Sequence, residues 1–343
     1  MANQEDGQPS RAARRFEWWR VLAIGVALAA ALSMPSLLAA YPLYILCQML
    51  IFAIACLALN LLYGTAGSLS LGHATFFGAA AYAGAFLYRF SIVESFELYF
   101  ISGVACSTVL AAVIGLLCAR VTRIFFAILT LAFCMVIYSL VINGALFRPF
   151  GGVGWGLYLL GGGAMYLPRL SILGRDYPPA EFVPALYHVI VAVFAVSAFV
   201  LWRIDRSPFG RALRAIRDNE TRAAFIGIAV WQYRWAAFVL AGLFMGVAGA
   251  LYGQLARQIT PEQLHWFFSA QLLLATVLGG SRHFPGPILG AFAFVWLDEL
   301  ASHFPVGRSM MFGLLLILVV LLFPRGIAGG IADAFAIVRR SRD

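Results

Sequence analysis

Ten apolar stretches, at roughly 21–38, 43–62, 66–88, 98–118, 124–146, 184–202, 235–255, 266–279, 287–304 and 309–323, constrain this chain more than anything else in it. Most approach the roughly 17–25 residues that an α-helix needs to cross a hydrocarbon layer of about 30 Å. In that layer every backbone N–H and C=O must be paired inside its own segment, so the runs read as helices. Barrel strands alternate inward and outward over about ten residues, and these continuous runs do not. With 62% hydrophobic and 11% charged residues, a soluble domain is excluded as well. The expected fold is an all-α polytopic membrane protein with about ten transmembrane helices. The short segments 266–279 and 309–323 fit a tilted, re-entrant or partly buried course.

The formal net charge of +9 rests on 24 basic residues, all of them arginine, placed at the ends of the apolar runs. That placement points to membrane orientation and away from nucleic-acid binding. If the N-terminus lies inside, the outer side keeps Arg89, Arg148, Arg169, Arg175, Arg257 and Arg308, and the other 18 arginines fall in the cytoplasm. The positive-inside bias therefore predicts both termini in the cytoplasm. The expected organisation is a cytoplasmic tail over 1–20, a membrane domain over 21–330 and a second cytoplasmic tail over 331–343. An outer loop is expected at 147–183. Residues 11–40 have the look of a signal peptide, but their apolar run leads at once into another span, so an uncleaved first helix is expected. The five cysteines, Cys47, Cys56, Cys106, Cys118 and Cys134, sit in apolar stretches without CxxC or Cys/His spacing, which argues against a metal or disulfide framework.

Polarity is concentrated between Arg203 and Arg234, an island predicted to face the cytoplasm. It reads as an extended arm at Ser207-Pro208, a hinge at Gly210, and then an amphipathic helix. Leu213 and Ile216 share one face of that helix, while Arg214, Asp218 and Arg222 follow one another at i, i+4 on another. On spacing alone the island fits a docking helix or a plain connector equally. The third apolar segment carries Gly64, Gly67, Gly72, Gly78 and Gly84 beside Ser68, Ser70, His73, Thr75 and Tyr82. Small residues let helices approach closely, and the glycines at its start permit a break of the kind that exposes backbone polar groups to a solute path. A tightly packed helix with satisfied serines is the other reading. His73 is an ionisable residue deep in an early span, either functional or an interhelical hydrogen-bonding group. No intramembrane acidic pair, HExxH or GxSxG accompanies it, and the chain has no GxxxxGK[ST] phosphate loop. Any energy drawn from ATP must come from another polypeptide.

Several motifs in this order resemble the permease subunits of branched-chain amino acid ABC importers, the LivM type. They are NLLYGTAGSLSLGHATFFGAAAY at 60–82, FFAILTLAF at 125–133, SPFGRALRAIRDNETRAAFIGI at 207–228, AAFVLAGLFMGVAGALYGQ at 236–254, LGG at 278–280, GPILGA at 286–291 and FPRGIAGG at 323–330. The resemblance implies a multi-pass protein of the bacterial inner membrane, in contact with lipid. Its expected partners are a second homologous permease subunit, two ATPase subunits and a periplasmic binding protein that delivers a small polar solute. The chain itself would be non-catalytic and bind no cofactor, with ATP and Mg2+ handled by the partner ATPase. The resemblance also implies that Ser207, Pro208, Phe209, Gly210, Arg211, Leu213, Arg214, Ala215, Ile216, Asp218, Asn219 and Glu220 couple the chain to that ATPase, with Leu213 and Ile216 packed into its groove. The translocation path is expected along Gly67, Ser68, Ser70, Gly72, His73, Thr75 and Tyr82. FGGVGWGL in the outer loop, Gln271 and Arg282-His283 depart from the family pattern and leave the solute open among branched-chain or other amino acids, urea, short amides and aromatic acids. A stand-alone secondary transporter is the alternative from another class.

Overall fold

The computed structural model describes residues 33–90, 92, 95–121, 123–143, 164–304, 307–322 and 326–330. Both expected tails, most of the first apolar segment and the glycine-rich first half of the outer loop lie outside the described residues. After a helical stretch at 33–37, the chain forms α1 (Ala40–Asn60), which runs directly into a π turn (Leu61–Thr65). There follow α2 (His73–Arg89), α3 (Phe96–Cys118), α4 (Arg123–Ile142), α5 (Pro179–Arg206), α6 (Pro208–Asp218), α7 (Glu220–Phe225) and α8 (Val230–Ala256). Then come α9 (Trp266–Gly279), α10 (Gly286–Ser302) and α11 (Arg308–Leu322), and 327–330 are again helical.

Among the described residues, five helical stretches are long and apolar enough to cross a membrane: Ala40–Thr65, Phe96–Cys118, Ile124–Ile142, Pro179–Arg206 and Val230–Ala256. α5 begins before and ends after the apolar window that marked it, because a helix needs apolar side chains only where it meets hydrocarbon. Its 28 residues make it about 42 Å long, more than the hydrocarbon layer alone requires. The expected segment 66–88 is shorter as a helix than its composition suggested. α2 starts only at His73, after a non-helical stretch that contains Gly67 at φ +69°. α9 occupies the expected 266–279 and has 14 residues, about 21 Å, too few for a full crossing.

α1 and α8 form the centre: 78% and 72% of their most apolar windows are buried, against 28–33% for α3, α4 and α5. α8 packs on α3, α2 and α1, and α1 packs on α10, α5 and α9. Close approach at the centre follows from small residues on one face of α8. Gly242 and Gly246 meet Ala111 and Ser107 of α3, and Gly249 meets the backbone of Phe77 in α2. Ser107 Oγ donates to the Gly242 carbonyl at 2.9 Å, adding a polar tie across the same contact.

The described half of the outer loop is fastened to helix ends. Strand β1 (Met165–Tyr166) pairs antiparallel with β2 (Gln258–Ile259), Leu167 N–H donates to the Arg257 carbonyl at 2.8 Å, and Leu173 N–H donates to Glu97 Oε1 at 2.6 Å. Leu167, Leu170 and Ile172 are buried there and join the hydrophobic core of the helices. Of the five free cysteines, four are buried and Cys106 is exposed. It lines an apolar groove of about 590 Å3 between α2, α3 and α4, together with Ala79, Tyr82, Phe86, Leu110 and Ile137.

Candidate functional site

The island from Arg203 to Arg234 is a folded unit built on two caps. α5 ends at Arg206 and Ser207 turns the chain with an extended backbone (φ −72°, ψ 171°). The Ser207 hydroxyl donates to the Ile204 carbonyl at 2.6 Å and accepts from Gly210 N–H at 3.3 Å, while Pro208 takes the first helical position, where no N–H is needed. Gly210 is not the hinge expected from sequence. It lies inside α6, and a Cβ there would fall on the Asp205 carbonyl oxygen, so glycine is what lets α6 fold tightly back on α5.

α6 stops at Asn219 (φ −159°, ψ 107°), whose side chain accepts from Arg222 N–H at 2.9 Å and caps α7. The single amphipathic helix with Arg214, Asp218 and Arg222 in one row is therefore two helices. Asparagine competes for the backbone and is worth more as a cap than within a helix.

Ion pairs fasten both helices to the rest of the chain. Arg214 donates to Asp205 Oδ1 at 2.8 Å and to the Asp205 carbonyl at 2.9 Å, and Asp205 Oδ1 also accepts from Thr65 Oγ1 at 3.1 Å. Arg217 reaches the Gly64 carbonyl at 2.6 Å and pairs with the exposed Asp218 at 3.3 Å. Glu220 turns inward and receives two hydrogen bonds from Arg234, at 2.7 and 2.8 Å. Phe209 stacks on Tyr233 with centroids 5.5 Å apart.

Leu213 and Ile216 are 0% and 2% exposed and belong to the chain's own hydrophobic core. The expectation that they fill a partner's groove is thus corrected: the apolar face exists, but α6 packs it against α5, α8 and the π turn. Of the other expected coupling residues, Pro208, Arg211, Asp218 and Asn219 are exposed, and Ser207, Phe209, Arg214, Ala215 and Glu220 are half-buried. Large exposed apolar side chains lie one helix further on, in two residues that sequence reasoning passed over. Phe225 is 86% exposed and Ile226 71%, at the end of α7 and just before Gly227, whose φ is +87°. The signal was present as an apolar pair beside a glycine in an otherwise polar stretch, but it reads equally as the approach to the next span.

The expected path residues do not share one surface. Gly67 is exposed and Ser68 half-buried, while Gly72, Ser70, His73, Thr75 and Tyr82 are buried. His73 Nδ1 lies 2.8 Å from Ser70 Oγ, and its ring packs edge-on to Phe76 and Phe238, each 5.6 Å away. Side chains of α4 and α9 hold the end of the break and the start of α2 in place: Leu71 N–H donates to Thr130 Oγ1 at 3.3 Å, and Ala74 N–H to Ser269 Oγ at 2.7 Å.

Residues 41–321 match the family model described as the permease component of the branched-chain amino acid transport system. The chain belongs to this permease family. Among its relatives is the high-affinity branched-chain amino acid transport system permease protein LivM of Escherichia coli strain K12, 27% identical over 302 residues, 81% of this chain and 68% of the relative. A nucleoside ABC transporter permease protein of Lactococcus lactis, NupC, is 33% identical over 88 residues, 26% of each chain. The autoinducer 2 import system permease protein LsrC of Klebsiella pneumoniae is 29% identical over 159 residues, covering 43% of this chain and 44% of that one. With its apolar helices, the permease is a multi-pass inner-membrane protein, and the motif resemblance noted in the sequence holds at the level of the family.

Proposed function

We propose that the permease is a non-catalytic subunit of an ATP-driven importer that carries branched-chain or related amino acids received from a periplasmic binding protein. The observation that carries this reading is the similarity to LivM, which runs along 81% of the chain. A second homologous permease subunit and two ATPase subunits complete the assembly, and ATP and Mg2+ bind to those ATPases alone. The reading includes about ten spans over 21–330, an outer loop at 147–183, and cytoplasmic tails at 1–20 and 331–343. The island at 203–234 is the coupling element, and the broken segment around Gly67 and Ser68 lies nearest the path.

Docking on the ATPase is assigned to the exposed end of α7 and the outward charges of α6. Phe225 and Ile226 supply the apolar contact, each worth about 1.5–3 kcal/mol when fully buried. Arg211 of α6 and Arg222 of α7 are exposed and add positive charge, which suits an acidic rim on the partner. The test is uptake of radiolabelled L-leucine into proteoliposomes holding the permease with its genomically adjacent permease, ATPase and binding protein. ATP-dependent uptake that needs the binding protein is expected. Uptake by this chain alone, driven by an ion gradient, would overturn the proposal. Radiolabelled guanosine, urea and benzoate run in parallel separate the amino-acid reading from the other solutes.

A further inference from the structure

We infer that Arg217, supported by Arg214 and Asp205, forms a standing joint through which α6 moves the break between α1 and α2. This rests on the coupling role proposed for the island. Nothing in the island's sequence names the surface against which it acts, but the contacts do. Arg217 crosses 153 positions of sequence to place a guanidinium N–H 2.6 Å from the Gly64 carbonyl, inside the π turn where α1 ends. A π turn leaves carbonyl groups away from their usual helical partners, so an outside donor at that point is part of how the turn is held.

The stem of Arg217 fits as closely as its head. A Cβ added at Gly67 would land on Arg217 Cγ, so the first residues of the break lie directly on the arginine side chain. Gly67 also has φ +69°, which a side chain would strain. A second tie runs parallel to the first, since Asp205 Oδ1 accepts from both Arg214, at 2.8 Å, and Thr65, at 3.1 Å. Two independent polar contacts thus bind α6 and the end of α5 to residues 64 and 65.

The break is held at its far end too, by Thr130 of α4 and Ser269 of α9. It therefore bridges α6 on one side and two membrane helices on the other. A push on α6 cannot be absorbed at the α5–α6 corner, which Ser207 and Gly210 make compact, and passes through the joint into residues 64–72.

Arg217→Met keeps the stem that packs on Gly67 and removes the donors. In the reconstituted importer, leucine uptake should fall about tenfold, as loss of a charge-assisted hydrogen bond implies, while ATP hydrolysis by the same complex persists. Arg217→Lys, which keeps a cationic donor group, should recover part of the uptake. Uptake by Arg217→Met at the unaltered level, or uptake and hydrolysis falling together, overturns the joint. A second pair of changes replaces the joint covalently: Thr65→Cys with Asp205→Cys should transport poorly when reduced and regain transport when bridged by a short bis-methanethiosulfonate. Bridged protein that stays inactive means that the contact has to open, and the inference fails. If the unaltered complex shows no ATP-dependent leucine uptake, it is the proposed function that fails. Hydrogen exchange on the purified chain then still decides the joint. Amides at 64–71 should exchange faster in Arg217→Met than in the unaltered chain, and equal exchange rejects it.

Discussion

Phe225 and Leu213 are both large apolar residues of one polar island, and they should respond to the same substitution in opposite ways. Phe225→Asp with Ile226→Asp places charge where water already reaches, so we predict normal membrane insertion and normal thermal stability with ATP-driven uptake abolished. Leu213→Asp buries a carboxylate in the chain's own core and should cost several kcal/mol, on the order of 3–5 for an unpaired buried charge. Its first symptom is loss of folded protein, seen as a lower melting temperature in detergent. Unimpaired uptake in the Phe225/Ile226 variant would remove the docking surface from consideration. Helical periodicity made the apolar stripe of α6 legible, because 3.6 residues per turn is a local property. What covers the stripe is a non-local property, and the sequence around Leu213 reads the same whether the cover is a partner or α5 and α8. The break around Gly67 was legible in its glycines, whereas the arginine that fills the space beside them lies 150 positions away.

At the scale of elements, α6 and α7 are too short to persist alone and depend on their caps and ties. Asn219→Ala removes the cap of α7 and should cost about 1 kcal/mol, which proteolysis at 219–229 would register as faster cleavage without global unfolding. Glu220→Ala leaves Arg234, 9% exposed, without either of its carboxylate bonds and should be the more damaging of the two. A cleavage rate for Glu220→Ala no greater than for Asn219→Ala would show that the pair does not hold α7. The apolar windows located α9 at 266–279 and α10 within a residue or two of its ends. They overran α2, because residues 66–72 are not helical: Ala66 and Ser68 N–H turn back to the Leu61 and Leu62 carbonyls and Leu71 N–H goes to the Thr130 hydroxyl. Composition shows that a segment lies in the membrane, and it does not say which partner takes each N–H.

At the scale of the molecule, the two most enclosed helices, α1 and α8, take the packing of α2, α3, α5, α9 and α10, and the island hangs from the far ends of α5 and α8. The arginine distribution predicts that the island faces the cytoplasm, and this orientation is open to a direct test. A cysteine at Thr221 should react with a membrane-impermeant maleimide only in inverted vesicles, and one at Leu173, which is 80% exposed, only in intact spheroplasts. The reverse pattern would turn the protein over and move the island away from any cytoplasmic ATPase.

One thiol in five stands in the open. Because Cys47, Cys56, Cys118 and Cys134 are enclosed and Cys106 is not, a detergent-solubilised preparation should take up a single equivalent of an apolar nitroxide without prior removal of the native cysteines. The label would sit in the groove between α2, α3 and α4, and α2 begins where the break ends. The chain thus carries its own spectroscopic gauge, placed to report whether a nucleotide bound far away on another protein changes the spacing of these three helices.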